Sequence, residues 1–326
     1  MTDETLLEVK DLKTYFFTRR GTVKAVDGVS FQLKKGETLG LVGESGCGKS
    51  VTCFSVIRLV DKPAGRTVGG QVIFNGEDLL TKSEKEIQQI RGKHISMILQ
   101  DPMMSLNPLF TVGNQVAEPV KIHQKLDKRM VWEKVKEMLS LVNIPSPEVR
   151  MKEYPHQMSG GMRQRIVGAM ALSCQPQLLI ADEPTTALDV TIQAQFLRLL
   201  KDIQQQSNLS MIVVTHDFGI VARVCDRVAV MYAGKIVETA ETRDLFNNPT
   251  HPYTIALMNS LPKMGAKVDR LYTIEGQPPE LQNLPPGCNF APRCPEAMEI
   301  CRQEYPPQSM VTEEHYMNCW LAKGKE

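Results

Sequence analysis

The sequence predicts an α/β fold, on three observations. Thr38-Leu39-Gly40-Leu41-Val42 is a short apolar strand leading directly into Gly-Glu-Ser-Gly-Cys-Gly-Lys-Ser (residues 43–50), and residues 51–60 are mixed apolar and compatible with a helix. Residues 178–181 and 211–214 are further apolar runs ending in polar side chains, the pattern of buried parallel strands whose tips share one sheet edge. From residue 111 to 141 apolar residues recur at helical spacing: Val112, Val116, Val120, Val131, Val135, Met138 and Leu141.

Residues 43–50 match the phosphate-binding loop G-x-x-x-x-G-K-[ST] at every defined position. Three glycines let the chain curl until successive N–H groups point inward, an anion nest at the start of the next helix, where the helix dipole also favours negative charge. A triphosphate fits a nest of this kind, made here by Gly43, Glu44, Ser45, Gly46, Cys47, Gly48, Lys49, Ser50 and Val51. Lys49 then reaches the β- and γ-phosphates, and the Ser50 hydroxyl ligates the bridging Mg²⁺. Without its flanks the stretch is a glycine-rich turn with a lysine; the strand before it and helix after it argue for the loop.

The chain before the loop reads as two strands, residues 6–17 and 23–33, joined by the turn Thr18-Arg19-Arg20-Gly21. Tyr15 and Phe16 on the first strand offer a flat surface for a purine or are simply core. Residues 71–76 and 94–99 are two more short strands, the second running into Gln100-Asp101-Pro102, a strand end suited to touching a ligand or to a plain turn. The helical segment is expected to break near Pro119 and to close at Pro145 and Pro147. Met158-Ser159-Gly160-Gly161-Met162 then opens another helix, through Leu172. A serine and two glycines at a helix start serve equally as an N-cap or as a second anion site. Asp182 and Glu183 end the strand of residues 178–181 and, by alternation, point apart, so one can hold Mg²⁺ and the other polarise a water. His216 sits at the tip of the next strand, where a lone histidine is structural or faces a nucleotide.

At 326 residues and 42% apolar content the chain has ordinary globular composition, enough for one large or two modest domains. A net charge of +1 without a basic stripe argues against a nucleic-acid partner. No run of about 18 apolar residues is present, and the acidic start Met1-Thr2-Asp3-Glu4-Thr5 is not a signal peptide. The expectation is a cytoplasmic protein that does not itself cross the membrane. Eight cysteines are then not expected to pair as disulfides.

Phosphate loop, Gln100, Ser-Gly-Gly, Asp-Glu, Ala187-Leu188-Asp189 and His216 follow in an order that closely resembles the ATP-binding subunits of ABC transporters, over roughly residues 5–245. The resemblance implies a P-loop NTPase core with an antiparallel β subdomain and a helical subdomain (about residues 103–175), together an ABC-type ATPase domain of residues 1–245. By position, residues 43–50 become the Walker A loop, Gln100 the Q-loop glutamine and a Mg²⁺ neighbour, and Ser159, Gly160 and Gly161 the core of the signature. Asp182 becomes the Walker B aspartate on Mg²⁺, Glu183 the general base, Asp189 the D-loop aspartate and His216 the switch histidine. The A-loop aromatic falls on Phe16, with Tyr15 as second choice. The usual signature is Leu-Ser-Gly-Gly-Gln; here Met158 replaces one apolar end, and Met162 removes an amide able to bond across a dimer.

Asn248-Pro249-Thr250-His251-Pro252-Tyr253-Thr254 and the Pro- and Cys-rich end resemble the ATPases of dipeptide and oligopeptide importers, to which nickel importers are related. The stretch Gln-Asp-Pro-Met-Met-Ser-Leu-Asn-Pro, residues 100–108, fits the same group. The resemblance implies ATP and Mg²⁺, head-to-tail pairing with a second ATPase subunit, two transmembrane permease subunits, an external peptide-binding protein, and a place on the cytoplasmic side of the cell membrane. A soluble ABC-type ATPase acting on nucleic acid or ribosomes is the competing class. It would be expected to carry a long coiled-coil or zinc insertion, or two cassettes, whereas this insertion is short and the cassette single.

Residues 246–326 form a small, irregular Cys-rich extension. Cys288, Cys294, Cys301 and Cys319 have the spacing C-x5-C-x6-C-x17-C in a region whose prolines disfavour helix and sheet. A segment with little apolar surface needs a staple. Zinc sites usually use closer cysteine pairs, so the expectation is a four-iron four-sulfur cluster, with zinc and four unliganded thiols as alternatives.

Overall fold

The computed structural model describes residues 5–101, 105–186, 188–261 and 272–324. In chain order its strands are β1 (Thr5–Thr18), β2 (Gly21–Lys34), β3 (Thr38–Val42), β4 (Gly65–Phe74), β5 (Glu77–Asp78), β6 (Ile95–Ile98), β7 (Leu178–Asp182), β8 (Ser210–Thr215), β9 (Arg227–Tyr232), β10 (Lys235–Glu241), β11 (Gln308–Thr312) and β12 (His315–Asn318). Its principal helices are α1 (Lys49–Val56), α2 (Val112–His123), α3 (Lys128–Leu141), α4 (Gly160–Leu172), α5 (Val190–Ser207), α6 (Phe218–Val224) and α7 (Pro252–Asn259). The chain divides into two compact units, described in turn.

The first unit is Phe74–Thr215 with two short N-terminal stretches, Met1–Leu7 and Leu33–Thr38. Its strands β6, β7 and β8 pair in parallel, with Ile98 opposite Ala181 and Asp182 opposite Val214. Every residue of β7 and β8 is buried, which explains why they read as unbroken apolar runs rather than alternating ones. Burying each Leu, Ile or Val in such a strand contributes about 1.5–3 kcal/mol. Helices α2, α3 and α4 pack on one another, burying Val112, Val116, Val120, Val131, Val135 and Met138.

The expected break at Pro119 is not there: Pro119 lies inside α2, and the chain leaves the helix after His123. The proline removes one backbone hydrogen bond, but three fully buried valines on the same helix outweigh that loss. The second helix starts where Asp127 accepts the Met130 N–H at 2.9 Å as its N-cap.

The second unit comprises Glu8–Gln32, Leu39–Ile73 and His216–Glu326. Here β1 lies between β2 and β4, and β4 begins at Gly65, six residues before the strand expected at residue 71. A separate run of strands has the order β11-β12-β10-β9-β3. In it β3 and β9 are parallel and the remaining pairs antiparallel. The tail strand β12 is thus an added strand on β10, with Glu238 opposite Met317. Among the described residues no helix is long and apolar enough to cross a membrane.

Candidate functional site

In the second unit, fully buried β3 delivers the chain into residues 43–50. Gly43 and Gly48 adopt φ of 152° and 106°, and a Cβ at either would run into a backbone carbonyl oxygen, of Met231 and Ala25 respectively. Only glycine makes this curl. Gly48 is the N-cap of α1 and brings no side chain to it, and the space around Gly46 is open, so an anion has room at the helix start. The Lys49 ammonium is folded over the loop, donating to the carbonyls of Gly43 at 2.8 Å and Glu44 at 3.0 Å. Cys47 is buried, which pushes its thiol above the ordinary range. Ser45 is exposed, and Ser50 and Val51 are half-buried.

Half-buried Tyr15 donates its hydroxyl to Asp27 at 2.6 Å, while the half-buried Phe16 ring lies against the backbone of Gly65, where a Cβ would stand 2.7 Å from it. His216, directly after β8, is exposed.

In the first unit the tips of β6 and β7 meet. Gln100, just past β6, donates its amide to Glu183 Oε2 at 2.9 Å, and Thr186 donates its hydroxyl to the same oxygen at 3.0 Å. Glu183 has φ of 44°, a left-handed conformation that a non-glycine residue holds at a cost of about 1–3 kcal/mol, and such strain gathers at functional positions. Its N–H is tied to the Val214 carbonyl at 2.9 Å. Asp182 is 3% exposed at the strand tip. Thr186 was not singled out from sequence, and its position three residues after Glu183 was the available signal.

Ser159 caps α4, its hydroxyl accepting the Met162 N–H at 3.3 Å. Gly160 faces open space, and Gly161 packs so closely that a Cβ would lie 2.7 Å from Ile192 of α5. Asp189 caps α5 through the N–H groups of Thr191 and Ile192 at 3.1 and 3.0 Å. Ala187 and residues 102–104 lie outside the described residues.

The iron–sulfur cluster is a correction. Cys288, Cys294, Cys301 and Cys319 do line one narrow pocket, with Phe290, Ala291, Pro306 and Leu321 among its walls. Yet among the described residues no group of three or more His, Cys, Asp or Glu is disposed to hold a metal ion, which disposes of the zinc alternative as well. Burial pushes the thiols of Cys288 and Cys319 up, and that of Cys294 to about 11. The premise that the tail lacks partners fails too. Phe290 packs edge-on against Tyr232 and at a tilt on Tyr253. Asn289 donates to the Ala233 carbonyl at 2.9 Å. His315 bridges Asp244 at 2.7 Å and Glu238 at 2.8 Å.

A phosphate loop between strand and helix, and Asp182 and Glu183 at a strand tip with Glu183 bonded to Gln100, define the class: an ATP-binding cassette protein. The profile of the ABC transporter family matches residues 26–186, and that of the oligopeptide/dipeptide transporter C-terminal region matches residues 237–301. The dipeptide transport ATP-binding protein DppD of Bacillus subtilis (strain 168) is 53% identical, over 98% of this chain and 95% of its own length. The oligopeptide transport ATP-binding protein OppD of Escherichia coli (strain K12) is 50% identical over 93% of this chain and 89% of its own. Of solved structures, the dimeric bacterial ABC transporter cassette MJ0796 is similar with a TM-score of 0.65 and 25% identity, covering 73% of this chain and 99% of that one. The chain belongs to the ATP-binding proteins of peptide ABC transporters.

Proposed function

We propose that this chain is the ATP-hydrolysing subunit of an importer of dipeptides or oligopeptides, working at the cytoplasmic face of the cell membrane. The observation that carries this reading is the match of residues 237–301 to the oligopeptide/dipeptide transporter C-terminal region. Residues 1–245 serve as the ATPase domain, with a helical subdomain at about residues 103–175, and residues 246–326 as the irregular extension of this transporter type.

In this reading Lys49 and the N–H groups of residues 43–51 hold the phosphates of ATP, with Phe16 or Tyr15 against the base. Glu183, held as an acceptor by Gln100 and Thr186, orients the attacking water and takes its proton. His216 fixes the γ-phosphate. Mg²⁺ neutralises phosphate charge when bound, and Ser50, Gln100 and Asp182 supply the hard oxygen donors that suit it. Ser159, Gly160, Gly161 and Asp189 act on the nucleotide of a second ATPase subunit, head to tail, and a heterodimer is the arrangement we favour. Two transmembrane permease subunits and an external peptide-binding protein complete the importer.

The reading is tested by deleting the gene and growing the strain on defined dipeptides and oligopeptides, and separately under nickel limitation. Loss of peptide-dependent growth supports it. A defect seen only under nickel limitation moves the substrate to nickel, and ATPase activity stimulated by DNA or ribosomes in a wholly soluble fraction moves the chain to the other class.

A further inference from the structure

Glu44, second in the phosphate loop, puts a carboxylate beside a nest meant for an anion several charges strong. The tail answers it. Arg293, on the short turn Ala291–Arg293, forks onto Glu44, with Nη1 2.7 Å from Oε2 and Nη2 3.1 Å from Oε1. The guanidinium is itself held: Nε donates to the Glu275 carbonyl at 3.1 Å and Nη1 to the Tyr232 hydroxyl at 3.2 Å. Its side chain is 4% exposed against 27% for Glu44, so the pair is shielded and bidentate, the strong form of such a contact. Tyr253 of α7 takes the Glu44 N–H on its hydroxyl oxygen at 2.9 Å, so side chain and backbone of Glu44 are both anchored to residues C-terminal to the cassette strands.

We infer that Arg293 is a positioning residue for the phosphate loop: it neutralises and fixes Glu44, so that the loop receives a triphosphate without an unpaired carboxylate in it. The order of the tail is thereby linked to ATP affinity. This rests on the reading of residues 43–51 as the phosphate site.

Equilibrium ATP binding to the purified full-length chain tests it, alongside steady-state turnover. Arg293→Ala should weaken ATP binding about tenfold, one favourable charge pairing being worth about that factor, and should raise KM more than it lowers kcat. In Arg293→Ala/Glu44→Gln the affinity should return to within about twofold of the parent, while the unfolding temperature stays as low as in Arg293→Ala alone. Unchanged affinity in Arg293→Ala, or a double variant as weak as the single, would reduce Arg293 to a structural tie and overturn the inference. Should Arg293→Ala not fold, Arg293→Gln takes its place with the same readouts. Lys49→Ala separates the two levels: if it leaves ATP binding intact the phosphate-site reading fails, and if it abolishes binding that Arg293→Ala retains, only the role of Arg293 fails.

Discussion

Two stretches of this chain are kept in shape in opposite ways. Residues 43–50 are set from within: glycines in conformations closed to other residues, and a lysine bonded to two carbonyls of its own loop. The tail around residues 288–319 is set from outside. Its buried His315 reaches Glu238 and Asp244, its Asn289 reaches Ala233, and its Arg293 reaches Glu44. These partners are separated by 77, 71, 56 and 249 positions. A locally specified segment keeps its form wherever it is placed, whereas a segment specified at a distance depends on every surface it leans upon.

The largest expected effect is catalytic, at Glu183, which like the tail is held from a distance, by Gln100 83 positions away. Glu183→Gln keeps the size and bonding of the side chain but accepts no proton, so turnover should fall about 10²- to 10⁴-fold with ATP binding retained. Near-normal turnover in a single-turnover assay would remove Glu183 from the role of base.

The tail should show the next effect, in stability. His315→Ala removes the cationic partner of the fully buried Glu238 carboxylate and leaves it the bonds from Thr250 and the His251 N–H, a loss of about 1.5–3 kcal/mol in a urea unfolding series. Burial alone would lower His315, but its bonds to Glu238 and Asp244 outweigh burial and hold it above 6.5. A raised folded pKa gives stability that is complete below 6.5 and is lost as pH rises through the folded value. His251, which burial pushes down to about 4, is neutral there and adds no slope. The parent should therefore lose stability from pH 6.5 upward, and His315→Ala should lack that loss; parallel slopes would mean that the tail is not held by this pair.

Lys49→Ala comes third. Losing a charge-assisted contact of about 1.5–3 kcal/mol predicts ATP binding about 10- to 100-fold weaker in a titration, with the unfolding midpoint little changed if the loop keeps its shape from its glycines.

What was legible in the sequence follows the same division. The strand before the loop, the loop itself, the acids of β7 and the serine cap of α4 are short-range patterns, and the structure puts each where its pattern begins or ends. Pro119 is misleading because a helix breaker is a local signal, whereas the buried valines that hold α2 together act through packing on other helices. The four cysteines are more misleading, because what holds the segment is not a staple of its own but contacts to Tyr232 and Glu238, which lie before the extension begins. Nothing near Arg293 in sequence announces Glu44.

The smallest expected effect bears most directly on whether the loop is built from within. Gly46 has φ of 78°, yet a Cβ there meets nothing within 4 Å, unlike one at Gly48, which would run into the Ala25 carbonyl. Gly46→Ala therefore carries only the conformational cost of a left-handed alanine, about 1–2 kcal/mol, whereas Gly48→Ala adds a backbone clash and must displace β2 or the loop. Measured by thermal unfolding without nucleotide, Gly46→Ala should lower the midpoint only slightly and Gly48→Ala clearly more. Equal losses would mean that backbone conformation alone decides at both positions. No loss for Gly46→Ala would mean that the loop relaxes out of this curl until a phosphate arrives, and that it too, like the tail, takes its shape from a partner.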